Sequence, residues 1–115
     1  MSRKQEIIFA QEVGLGLGIT NSDRGVGEGK DYVAFLDVTA VSGNFPTLDC
    51  KFQEWDQASE KWFDIASAVF TQAIGAGSER ITFSSNALRM RLVQDIGGSA
   101  TPTVDFTVGA IGTPE

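Results

Sequence analysis

Apolar and polar residues alternate with a period of two in several short segments, and no segment keeps a helical period. In residues 32–41, Tyr32, Ala34, Leu36, Val38 and Ala40 share one face, with Asp37 and Thr39 on the other. This is the pattern of a strand with one buried side. Val33 and Phe35 put apolar side chains on the second face, so the start of this strand is expected to be covered on both sides. Ser42, Gly43, Asn44, Phe45 and Pro46 carry turn chemistry. Residues 47–55 then place Leu48, Cys50 and Phe52 inward and Lys51, Gln53 and Trp55 outward. Residues 57–60 suit a four-residue hairpin loop. If Asp56 opposes Lys61, Trp55 faces Trp62 and Phe52 faces Ile65, with Phe63 and Ile65 extending the buried face.

Short strands are predicted at 68–73, 80–83, 87–94 and 103–109, with a turn at 74–78 and a loop at 95–101. In 87–94, Leu88, Met90 and Leu92 oppose Arg89 and Arg91; in the last strand, Val104, Phe106 and Val108 face inward. Residues 111–115 are expected to fray. Residues 1–13 hold an apolar patch, Ile7, Ile8 and Phe9, which reads as a first strand or as an extended arm laid on a neighbour. Residues 14–30 contain six glycines and read as a flexible connector. Residues 1–115 thus predict one domain, all-β, an antiparallel β-sandwich of jelly-roll-like form. It should have six to eight strands, the first of them an N-terminal strand or arm.

Composition removes several functions. Absence of histidine and a single cysteine, Cys50, exclude within one chain a zinc site, a Cys-His pair, a Ser-His-Asp triad and an internal disulfide. Cys50 sits in a strand pattern and is expected to be a small buried hydrophobe. A net charge of −6 without a basic run argues against nucleic acid. No apolar stretch approaches a membrane span, and the short run at Ile7 breaks at Gln11 and Glu12, unlike a secretory signal. The segment 25–31 superficially resembles a phosphate loop. Arg24 stands where the first glycine belongs, however, and Asp31 where a hydroxyl does. Asn21, Asp23 and Gly25 have the spacing of a calcium loop, but its twelfth position is Tyr32 instead of Glu. Asp37, Asp49 and Asp64 read as a solvated acidic face. No catalytic residue, cofactor or metal is expected.

One set of motifs points further. DVTAVSGNFPTLDCKFQE at 37–54 is followed by Trp62-Phe63-Asp64-Ile65 and Phe70-Thr71-Gln72. Later come the Arg-containing strand at 89–92, Gly97-Gly98-Ser99 and Phe106-Thr107-Val108. Over residues 32–110 this resembles the small β-sandwich virion proteins of tailed bacteriophages, which are capsid decoration (cement) or head and tail accessory proteins. The opening residues and Trp55 depart from that pattern. The resemblance implies a non-enzymatic capsid cement protein that binds and stabilises the major capsid shell. It would be made in the host cytoplasm and carried on the virion surface as a homo-oligomer, with a trimer favoured. Its partner would be the major capsid protein or another head or tail protein. Ile7, Ile8 and Phe9 are candidate partner-binding residues, by adding a strand to a neighbouring sheet edge. Trp55 and Trp62 are candidates as an exposed aromatic patch. The alternative is a head- or tail-associated carbohydrate- or receptor-binding module, in which Trp55, Trp62 and Tyr32 stack on sugar rings.

Overall fold

The computed structural model describes residues 5–26 and 31–113. Six strands follow one another: β1 (Gln5–Gly16), β2 (Gly18–Gly25), β3 (Asp31–Asp56), β4 (Lys61–Val69), β5 (Gly77–Ser84) and β6 (Arg89–Thr113), all paired antiparallel. Two of them, β3 and β6, run for 26 and 25 residues and pair along almost their whole length. Each turns a corner midway, so a single hydrogen-bonded network folds over itself into two layers. The first sheet has the order β5, first half of β3, second half of β6, β1. The second has the order β4, second half of β3, first half of β6, β2. A shortest dimension of 20 Å accommodates two sheets about 10 Å apart.

The corners show why the chain bends there. Gly43 has φ +96° on β3 and Gly98 φ +126° on β6. A Cβ on Gly43 would stand 2.7 Å from Pro102 Cα, and one on Gly98 2.9 Å from the Phe45 carbonyl oxygen. The two corners nest backbone against backbone, which only glycine permits. Residues 42–46 are therefore not a hairpin reversal. Neither half of β3 pairs with the other; both pair with β6.

Even-numbered positions of β3 and β6 line the interior, among them Tyr32, Leu36, Leu48, Cys50, Phe52, Met90, Leu92, Val104, Phe106 and Val108. Phe52 of the second sheet joins the layers. Its ring lies 5.0 Å from Phe9 in an edge-on contact and 5.1 Å from Phe83, both of the first sheet. Cys50 is buried, as expected for a small hydrophobe, and burial followed by the Asp49 charge pushes its thiol pKa up to about 12.

Several expectations change. Residues 18–25 of the glycine-rich region are no loose connector, because β2 pairs there with β6 from Gly18 to Gly25. Asn21, Asp23 and Gly25 are thus strand residues, without the turn a calcium loop needs. Residues 27–30 of the phosphate-loop-like segment lie outside the described residues. Residues 95–101 and 111–113 belong to β6, where Ile111 and Gly112 pair with Val33 and Tyr32. The first sheet's outer face is not covered, since Phe35 is 43% exposed. Ala40 is exposed as well, because a register shift between Val38 and Ala40 breaks the alternation. Phe63 and Leu88 lie exposed near the strand ends instead of in the core.

Candidate functional site

The predicted hairpin register holds at its tip. Asp56 pairs with Lys61 and Trp55 with Trp62. Asp56 closes the loop by accepting hydrogen bonds from Ser59 Oγ (2.6 Å) and the Ser59 and Ala58 amides. Those bonds, the Ser59 hydroxyl first, hold its carboxyl below the usual range. Beyond Gln53–Asp64 the register slips, with Ser67 at φ +65°, and Lys51 faces Val69. The bulge replaces the expected Phe52–Ile65 pairing, although both residues are still buried.

The outer face of the second sheet is a connected patch. The Trp55 and Trp62 rings lie 5.2 Å apart and tilted by 58°. From β6, Arg91 sets its guanidinium 4.6 Å from the Trp62 ring centre, and Arg89 lies 5.5 Å from that of Trp55. These are cation–π distances. Arg91 Nε donates to Gln53 Oε1 (2.7 Å), and Gln53 Nε2 donates to Asp64 Oδ1 (2.8 Å). Lys51 Nζ stands 3.0 Å from the same carboxylate. The Gln53 bond first, then Lys51, holds the Asp64 carboxyl below its usual range. Arg89 pairs with Asp23 of β2 at 3.3 Å, and Trp55 Nε1 donates to Gln57 Oε1 (3.0 Å). Farther along the same strands lies a cleft of about 340 Å³ lined by Ile19, Asp49, Lys51, Val69, Val93 and Asp95.

The end of the sandwich where the corners nest is different in kind. Phe45 is 88% exposed and sits at φ +51°. That is a rare conformation for a bulky residue, and such strain concentrates at functional positions. Leu17, between β1 and β2, and Ile74, next to the Leu48–Ala73 bridge, are exposed at the same end.

The sequence candidates divide between these regions and the core. Trp55 and Trp62 come together on the outer face, each partly buried. Ile7 and Phe9 are 8% and 1% exposed, inside the protein's own core, and only Ile8 of that patch points outward. The stretch is therefore the first strand of this domain and not a free arm. Its edge is also guarded, since Arg24 of β2 donates to the Ile8 carbonyl (3.0 Å) and a bulge breaks β1 there. Tyr32 is 1% exposed and stacked on Phe83, so it cannot meet a sugar. Arg89 and Arg91 had no assigned role in the sequence. Their signal was an alternation of Arg with Met and Leu on a strand following two tryptophans, and it becomes specific only once register places them together. Among the described residues no group of three His, Cys, Asp or Glu is placed to hold a metal ion, and no helix is long and apolar enough to cross a membrane.

The sequence matches no protein-family model and no curated protein. Its fold is shared with solved structures of low identity. The SPBc2 prophage-derived protein YomS superposes with a TM-score of 0.62 at 12% identity, covering 98% of this chain and 95% of that one. The VP2 subviral particle of infectious bursal disease virus gives 0.59 at 12% identity, covering 99% of this chain and 33% of that one. A non-crystalline-cellulose-specific carbohydrate-binding module, CBM28, gives 0.54 at 8% identity, with 89% and 73% covered. The chain thus spans about a third of the viral capsid protein and nearly all of the prophage protein. What these structures share with the chain is a β-sandwich fold.

Proposed function

We propose that the protein is a non-enzymatic structural component of a bacteriophage virion, a cement protein that docks on the major capsid shell through its corner end. The observation that carries this reading is the fold match with a prophage-derived chain, which covers 98% of this chain and 95% of that one. The exposed Phe45, held out at the nested corners, supplies an apolar anchor of the kind a docking protein needs. Binding to assembled shells but not to free subunits would stabilise the shell by mass action. A homo-oligomer, with a trimer at a lattice axis, is part of the same reading. It places the protein on the virion surface.

Cosedimentation of the purified protein with expanded capsids tests it. The reading expects saturable binding that Phe45→Ser abolishes. Absence from both shells and purified virions would refute it.

A further inference from the structure

Arg91 is a cation with no carboxylate at ion-pair distance, since Asp23, which stands opposite it on β2, pairs with Arg89 instead. Its planar guanidinium lies on Trp62 and its Nε is tied to Gln53, while Nη1 and Nη2 make no hydrogen bond among the described residues. The neighbouring cations differ, since Arg89 is paired with Asp23 and Lys51 with Asp64. In a chain of net charge −6, a partly buried arginine fixed in orientation, with the N–H groups of both Nη atoms open, is a built anion fork. The planar fork matches a carboxylate bidentately, and fixing it beforehand lowers the entropy lost on binding.

We propose that the outer face of the second sheet binds an acidic oligosaccharide, a sugar carboxylate engaging Arg91 while its ring packs on the Trp55–Trp62 pair. The indole surface that the Arg89 and Arg91 guanidinium groups leave uncovered suits the apolar C–H face of a pyranose. The face then continues along β3 from Trp55 to Asp49, about 20 Å at the rise of a strand. It ends in the cleft where Ile19, Val69 and Val93 give an apolar floor and Asp49 and Asp95 give hydroxyl acceptors. Those carboxylates favour neutral sugar units at that end, so the ligand carries its acid group at the tryptophan end. An extended peptide fits less well. The middle of a sheet face offers side chains only, whereas a peptide backbone finds its partners along a sheet edge. This inference does not depend on capsid docking, which uses the opposite kind of surface.

The experiment is calorimetric titration of the full-length protein with a panel of sialic-, glucuronic- and galacturonic-acid oligosaccharides, with neutral cello-oligosaccharides as control. At least one acidic oligosaccharide is expected to bind. Trp62→Ala and Arg91→Gln are each expected to weaken it about tenfold or more. Arg91→Lys, which keeps the charge and loses the fork, should fall between, with a melting temperature that stays near the parent's. No binding across the acidic panel overturns the proposal, as does equal binding of neutral oligosaccharides or an Arg91→Gln protein that binds unchanged. If Arg91→Gln instead abolishes cosedimentation with capsids, the face is a protein contact and the glycan reading fails.

Discussion

The corner end and the outer face of the second sheet are built by the same two strands, yet they are opposites. At the corner, β3 and β6 break their alternation. Gly43, Gly98, Ala100, Thr101 and Phe45 all take positive φ, and Phe45 stands exposed among Ser42, Asn44, Ser99 and Thr101. On the outer face one bulge interrupts β3 and β4, and Trp55, Trp62, Arg89, Arg91, Gln53, Asp64 and Lys51 hold one another through rings, hydrogen bonds and ion pairs. Backbone geometry sets up the first region and side-chain chemistry the second. An apolar tip supported by strained backbone suits a fixed protein contact, while a linked aromatic and polar face suits a ligand with many hydroxyls and a charge. One sandwich can therefore present two surfaces that do not compete.

Substitutions can separate the two regions. The largest effect is expected where both depend on the same support. Phe52→Ala should cost about 3–5 kcal/mol by urea denaturation, because its ring joins the sheets. A loss under about 1 kcal/mol would mean that the layers are held elsewhere. Gly98→Ala should cost about 2 kcal/mol, since its Cβ would meet the Phe45 carbonyl and force a positive φ on alanine. Removing Trp62 and Arg91 singly and together should reveal a coupling of about 0.5–1 kcal/mol in a double-mutant cycle. An additive pair would dissolve the claim that this face is a linked unit. Phe45→Gly should leave stability within about 0.5 kcal/mol, because relief of left-handed strain offsets the extra chain entropy of glycine. Capsid binding should nevertheless disappear.

The smallest effect is a pH effect. Asp64 has its carboxyl lowered by Gln53 and Lys51 in the fold, so its contribution is present above the ordinary carboxylate pKa. It is lost as the pH falls through the folded value. Asp64→Asn should therefore narrow the stability gap only below about pH 4, in thermal melts across an acid series. Because the side chain is 61% exposed, the gap is small.

Much of the fold was legible because period-two burial is a local signal. Leu36, Val38, Leu48, Cys50, Phe52, Val104, Phe106 and Val108 all lie inside, and the Trp55–Trp62 register followed from the length of one hairpin loop. The corners were not legible, because Ser-Gly-Asn-Phe-Pro carries the same turn chemistry whether the chain reverses or changes sheet. Only the long-range pairing of both halves of β3 with β6 decides between them. For the same reason β2 was hidden: an exposed edge strand has one thin stripe of contacts, and Gly18–Gly25 shows no apolar alternation. At the site, the tryptophans were visible as outward aromatics. The arginines that complete the patch come from a strand about thirty residues away in the sequence, joined to them only by register. Phe45 gave no signal, because exposure and positive φ are properties of the corner and not of phenylalanine.

Electron cryomicroscopy of capsids decorated with the purified protein addresses both surfaces at once. The account predicts ordered density for the sandwich on the shell, with Phe45 and the nested corners seated against the major capsid protein and the Trp55–Trp62–Arg91 face open to solvent. Shells that bear no such density, or a sandwich seated on its tryptophan face with Phe45 outward, would contradict it.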